Sequence, residues 1–201
     1  MRLSRLVSWP VLAIVLAMAL AGCAQAPVPA DRYYRLLPPM PRVLERPALP
    51  GTLLVKRFAA DGLLGQRALV YADGAAPGVL YQYRYHFWAD APGALLQDLT
   101  VQALRAARIA HEVVTPDLGV AARYVLVGRV RRLEHLLGDA PAVAVSLELA
   151  ITGAEHDAPI VLGDHQLMLP LDEPDVAAAV HAMSEAVGQI LAEFIARLPR
   201  I

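Results

Sequence analysis

Between Ala142 and Thr152 the chain alternates without a break. Val143, Val145, Leu147, Leu149 and Ile151 fall on one side of an extended backbone, and Ala144, Ser146, Glu148 and Ala150 on the other. A period of two over so many residues rules out a helix and requires a strand with one face on a core. Arg123 to His135 reads as its partner, the two arms meeting around Gly138 and Asp139 as a long hairpin. The second face is expected to meet solvent, as in an antiparallel sheet covered on one side.

Further strands are expected at Thr52 to Phe58, Ala68 to Ala72, Leu80 to Trp88, Ala110 to Val114 (ended by Pro116) and Ile160 to Leu171. Two segments carry helical spacing instead. Leu95, Leu96, Leu99, Ala103, Leu104 and Ala107 predict an amphipathic helix over 92 to 107, with Asp90 as its cap and Pro92 in the first turn. Val176, Val180, Met183, Val187, Ile190, Phe194 and Leu198 step by three or four, predicting a second helix from Pro174 to about Leu198, capped by Asp172. The expected fold class is α+β, a mostly antiparallel sheet with two amphipathic helices packed on one face.

The first 22 residues belong to another problem. Arg2 and Arg5 precede an apolar run of 13 residues, Trp9 to Ala21, the length of a secretory signal and too short to span a bilayer. Leu20, Ala21, Gly22 and Cys23 then resemble a bacterial lipobox. That resemblance implies cleavage before Cys23, a diacylglyceryl thioether on its sulfur and acylation of the new amino terminus, palmitate among the chains. Several chains exceed the two-signal threshold for stable membrane attachment. Ala24 and Gln25, in place of an Asp after the Cys, imply the periplasmic face of the outer membrane. The expected division is a signal peptide at 1–22, a lipidated Cys and proline-rich tether at 23–50, and a folded domain at 51–201. Seven prolines in Ala24 to Pro50 suggest an extended, poorly ordered tether reaching up to ~80 Å, interrupted by a possible short strand at Tyr33 to Leu37.

Cys23 is the only cysteine, so the mature chain is expected to hold no disulfide, cysteine metal site or other cofactor. Without the leader's two arginines, 16 basic side chains face 19 acidic ones, and no basic stripe points to nucleic acid. Hydrophobic content of 57% against 18% charged suggests apolar surface that meets a partner.

Catalytic motifs fail on spacing. His111 and Glu112 begin like H-E-x-x-H, but Thr115 stands where the second histidine must fall. Ser146 and Ser184, the mature chain's two serines, lie mid-strand and mid-helix, outside any G-x-S-x-G. The six histidines are scattered singly, and capping explains Asp172, Glu173 and Asp175. No catalytic residue and no metal ligand is assigned. Two polar features remain. Arg129 and Arg131 share a strand face, either as an ion-pair face across from Glu148 or as a contact for a phospholipid headgroup. Tyr81, Tyr83 and Tyr85, with Phe87, occupy alternate positions of one strand, either as an aromatic core face or as a partner-docking surface.

Short motifs spread over residues 33 to 198 resemble the ABC-type transport auxiliary lipoprotein components, the group that includes the lipoprotein of the paraquat-inducible Pqi system. They are Tyr33, Tyr34 and Leu36; Leu54, Val55, Arg57 and Phe58; Val70 and Tyr71; a Y…W-A-x-x-P segment of Tyr83, Trp88, Ala89 and Pro92 running into Leu95, Leu96, Leu99 and Leu104; and Ala122, Tyr124 and Leu126. Ala91 departs from a proline frequent there. The resemblance implies a non-enzymatic outer-membrane lipoprotein working with an MCE-domain protein and an inner-membrane ABC transporter on phospholipid cargo. A homo-oligomer, possibly a ring, is implied too. A periplasmic lipid-binding carrier, or a hydrolase with an unrecognised site, is the alternative.

Overall fold

The computed structural model describes residues 28–76, 78–153 and 158–199. The signal segment, the lipobox with Cys23, and His156 lie outside the described residues.

Among the described residues nine strands and two α-helices follow in chain order: β1 (Arg32–Tyr34), β2 (Leu49–Val55), β3 (Ala59–Ala60), β4 (Ala68–Asp73), β5 (Leu80–Trp88), α1 (Pro92–Ala107), β6 (Ala110–Val114), β7 (Tyr124–Leu137), β8 (Ala142–Gly153), β9 (Val161–Pro170) and α2 (Val176–Ala196). The fold is α+β, as the periodicities predict. The long hairpin is its spine: β7 pairs antiparallel with β8 from Tyr124↔Gly153 to Leu136↔Ala142, and β9 continues antiparallel beyond β8.

The other edge of β7 is shared end to end by β2, β3 and β4, all parallel to it. Beyond β2 lies β6, and beyond β4 lie β5 and then β1, so the sheet forks. The longest pairings are antiparallel, but the parallel component exceeds what the hairpin pattern suggests. Three short strands line up along one long neighbour, and α1 carries the chain from β5 on one arm of the fork to β6 on the other.

Both predicted stripes face the core. Leu96, Leu104 and Ala107 of α1, and Met183, Val187 and Phe194 of α2, are buried against Leu53, Leu126, Leu133, Val145 and Leu149 of the sheet. Their caps differ from expectation. Ala91, not Asp90, precedes α1 and makes no side-chain cap; Pro92 at the first position removes one amide that would otherwise need a partner. At α2 the cap is Asp175, not Asp172, its carboxylate accepting the Ala178 amide at 3.0 Å.

Two further expectations are corrected. The second face of β8 is not solvated, since Ala144, Ser146 and Ala150 are buried. These side chains are too short to clear the neighbouring Arg132, Gln166 and Met168, which line a groove above Ala144 and Ser146. Nor is the stretch up to Pro50 a free tether, because the compact unit begins at Asp31. β1 pairs in parallel with β5, Leu36 and Pro38 are buried, the Leu44 amide bonds the Ala107 carbonyl, and Leu49 enters the core. Proline weakens hydrogen bonding but not burial. Pro38 and Pro39 pack where Gly188 of α2 lacks a side chain, and a Cβ there would stand 2.6 Å from Pro39 Cδ.

Candidate functional site

The tyrosine row is rebuilt by a break in strand register. Tyr71↔Tyr81 and Val70↔Gln82 pair in sequence, but the next partners are Ala68↔Phe87, so four residues of β5, Tyr83 to His86, oppose the single Leu69. Such a bulge re-aims side chains. Tyr83 and His86 therefore meet on one side, edge to face at 5.4 Å. Phe87, expected to extend the row, stacks instead on Tyr33 across the sheet, at 5.6 Å. Tyr85 is half-buried and makes none of these ring contacts.

What assembles is a cluster of tyrosines and histidines at the N-terminal end of α2. Tyr71 lies between Tyr81 (5.2 Å, stacked) and Tyr83 (4.6 Å, tilted). The Tyr83 hydroxyl is 2.9 Å from His135 Nδ1 on β7, and the Tyr34 hydroxyl of β1 is 2.9 Å from His86 Nδ1. His135 is 1% exposed, and its Nε2 is buried without a hydrogen-bond partner. Whichever nitrogen carries the proton, that atom lacks either an acceptor or a donor, at a cost of about 1–3 kcal/mol.

Burial dominates the electrostatics. It pushes the Tyr83 hydroxyl up to about 12, helped by Tyr71 and by the Asp175 carboxylate. It lowers His135 despite the opposing pull of Asp175, and lowers His86 with the help of Arg32. Asp175 itself is held below the ordinary carboxylate range, chiefly by the Ala178 amide. Near neutral pH Tyr83, His86 and His135 are thus uncharged, in a cluster rimmed by Arg32 and Asp175. Its phenol–imidazole pairs donate and accept hydrogen bonds and present flat aromatic faces. A phenol so reluctant to ionise is a donor, not a base.

Periodicity alone could not have found Tyr34 and His135, which arrive from other strands, or His86, which joins the tyrosines of its own strand only through the bulge.

The arginines separate. Arg129 is opposite Glu148 in register, yet its guanidinium bonds Asp61 at 2.7 Å. A bulge between Val130 and Arg132 delivers Arg131 to Glu148, with Nη2 at 2.6 Å and Nε at 3.1 Å from one carboxylate oxygen. Arg132 pairs with the buried Glu134 at 2.8 Å. The exposed pairs of Arg129 and Arg131 stabilise by ~0–1 kcal/mol each. Arg57, Arg129 and Glu148 line a shallow groove over Gly128 and Ala150.

His111 and Glu112 are exposed on β6, and Ser184 is buried in α2. A cleft of about 430 Å³ runs between Arg35 to Met40 and the Leu95, Asp98 and Gln102 side of α1. Among the described residues no three His, Cys, Asp or Glu side chains come together as a metal site.

No curated protein matches the chain at a significant level. Among solved structures the chain is similar to protein XCC0632 from Xanthomonas campestris, with 20% identity and a TM-score of 0.70, over 82% of this chain and 92% of that one. It is also similar to an uncharacterized protein, with 15% identity and a TM-score of 0.61, over 84% and 98% of the two chains. At these identities the likeness shows a shared fold. The family model for the ABC-type transport auxiliary lipoprotein component matches residues 34–196, and the chain belongs to that family.

Proposed function

We propose that this chain is a non-catalytic lipoprotein that holds an MCE-domain protein of an ABC-type phospholipid transport system against the outer membrane. The observation that carries this reading is the conjunction of a lipobox ending in Cys23 with a domain of the auxiliary-lipoprotein family. The lipid on Cys23 supplies the attachment, and Ala24 and Gln25 direct it to the periplasmic face of the outer membrane. The docking surface is the tyrosine cluster, where Tyr81 and Tyr83 combine apolar faces with polar edges, the combination enriched at protein interfaces. Tyr85 extends that surface along β5. Arg129 and Arg131 sit on the opposite sheet face as contacts for headgroups.

Replacing Cys23 with Ser tests the anchor. The variant domain should stay folded but leave the outer-membrane fraction for the soluble periplasm, and a cross-linked pull-down of the MCE partner from intact envelopes should be lost with it. Retention of Cys23→Ser in the outer membrane would refute the anchor, and failure of the wild type to capture an MCE protein would refute the docking.

A further inference from the structure

The cleft between the N-terminal arm and α1 has no part in the docking surface described above. One wall is α1, where Leu95, Asp98, Leu99 and Gln102 fall at i, i+3, i+4 and i+7 and so share a face. The other wall is the arm from Arg35 to Met40, and Asp90, two residues ahead of the helix, also lines the space. Leu36, Leu95 and Leu99 are buried along it, while Leu37 is 78% exposed and Met40 53% exposed on the arm. Its volume of about 430 Å³ falls within the range of small-ligand sites, about 300–1,000 Å³.

The charges of this cleft are unpaired. Among the described residues the side chains of Arg35, Asp90, Asp98 and Gln102 make no hydrogen bond or ion pair, whereas Arg129, Arg131 and Arg132 on the sheet each bond a carboxylate. Asp98 stands about 9 Å along the axis from the first residue of α1, so the two carboxylates are spread along one wall and Arg35 belongs to the other. One guanidinium and two carboxylates beside apolar side chains suit neither a purely anionic nor a purely cationic guest. A lone phosphate would face Asp90 and Asp98, and a lone cation would face Arg35.

We propose that the cleft binds a zwitterionic phospholipid headgroup, a primary ammonium beside a phosphate, with the start of its chains on Leu37 and Met40. Arg35 donates its forked N–H groups to the phosphate, and the ammonium donates to Asp90 or Asp98. Phosphatidylglycerol has no ammonium, and the quaternary nitrogen of phosphatidylcholine has no N–H, so the site selects phosphatidylethanolamine over both. Arg35 follows Cys23 by only twelve residues. On the anchored-lipoprotein reading, on which this inference rests, the lipid on Cys23 keeps the cleft beside a leaflet that supplies such headgroups.

Native mass spectrometry of the detergent-extracted full-length chain, mixed with equal amounts of phosphatidylethanolamine, phosphatidylcholine and phosphatidylglycerol, tests the selection. One phosphatidylethanolamine per chain should be retained in preference to the other two. Asp90→Asn with Asp98→Asn should cut that retention at least about tenfold, the scale of a lost charge-assisted hydrogen bond, without weakening phosphatidylglycerol. Arg35→Gln should lower all three, and Glu112→Gln, at an exposed carboxylate on β6, should change nothing. Equal retention of the three lipids, or an Asp90→Asn, Asp98→Asn variant that keeps the wild-type preference, would overturn the proposal. Displacement of the lipid by an equimolar amount of glycerophosphoethanolamine would overturn it too, because the apolar lining would then add nothing. So would variants that retain lipid normally but lose a protein partner, which would make the cleft a protein-docking groove. The mass of the chain in the same spectra reports whether Cys23 is acylated, so failure of the anchor is read separately from failure of the site.

Discussion

Ser184 joins the N-terminal segment to the last helix, and deleting its hydroxyl tests whether residues 35–48 belong to the fold. Its Oγ accepts the Leu37 amide hydrogen at 3.1 Å and donates to the Val180 carbonyl at 2.9 Å, in a side chain only 3% exposed. Ser184→Ala leaves the Leu37 N–H without its acceptor, at a cost of about 1–3 kcal/mol. Alanine returns roughly 0.5 kcal/mol as the better helix former. The net loss is then about 0.5–2.5 kcal/mol, with about 1–2 kcal/mol as the middle of the range. For a domain of this size that lowers Tm by roughly 2–8 °C.

A purely global measurement would not locate the damage, so the decisive assay is tryptic cleavage at Arg42, an exposed residue in the same segment. Under native conditions cleavage tracks the population of locally opened chain. If the bond is lost in that local opening, 1–2 kcal/mol raises the population about 5–30-fold. Cleavage at Arg42 in Ser184→Ala should accelerate by that factor, ahead of any cut within β7 or β8. An unchanged rate together with an unchanged Tm would refute the view that Ser184 holds the segment.

Two other perturbations follow from the packing and the buried imidazoles. Burial lowers His86, His135 and His165 in the folded protein, whereas the unfolded chain protonates them near 6.5. The unfolded state binds more protons below that value, so stability should fall between pH 7.5 and 5.5, by at most about 1.4 kcal/mol per pH unit for His135. Urea melts across that range should show the slope, His135→Phe should flatten it, and a stability rising toward pH 5.5 would contradict the assignment. Gly128→Ala places a Cβ 2.5 Å from the ring of Phe58, whose amide is fixed to the Gly93 carbonyl at 3.1 Å. Overpacking of this sort costs about 1–3 kcal/mol, and a urea midpoint equal to wild type would show that Phe58 has room to move.

Elements with a strong period were legible from the residues alone. The strand of alternating valine and leucine became β8, and both helical stripes face the core. What escaped depends on the partner rather than on the chain being read. Asp172 and Asp175 are equally good caps by residue type, and only the trajectory out of β9 decides between them. The bulges opposite Leu69 and before Arg132 arise from register with neighbouring strands, so the alternation of Tyr81, Tyr83, Tyr85 and Phe87 could not reveal that Phe87 turns away and His86 joins. The proline count in the N-terminal stretch suggested an unpacked tether, because it measured lost amides and not the apolar groups of Leu36, Leu44 and Leu49 between them.

That last difference bears on how the proposed anchor works. Seven residues, 24 to 30, separate Cys23 from the start of the compact unit, so the eight steps from Cys23 to Asp31 reach no more than about 30 Å even when fully extended. From Arg32 onward the chain is fixed at successive points: β1 on β5, the Tyr34 hydroxyl on His86, the Leu37 amide on Ser184, and Pro39 over Gly188. A lipid on Cys23 would therefore keep the domain close to the membrane surface, where a tether packed only from residue 51 would allow ~80 Å. On the proposed reading the short leash leaves the partner to cover the remaining distance, as a periplasm-spanning protein would. Tyr34, on the described strand nearest Cys23 in sequence, joins the aromatic cluster, so on the proposed reading the chain leaving the anchor reaches the candidate docking surface first.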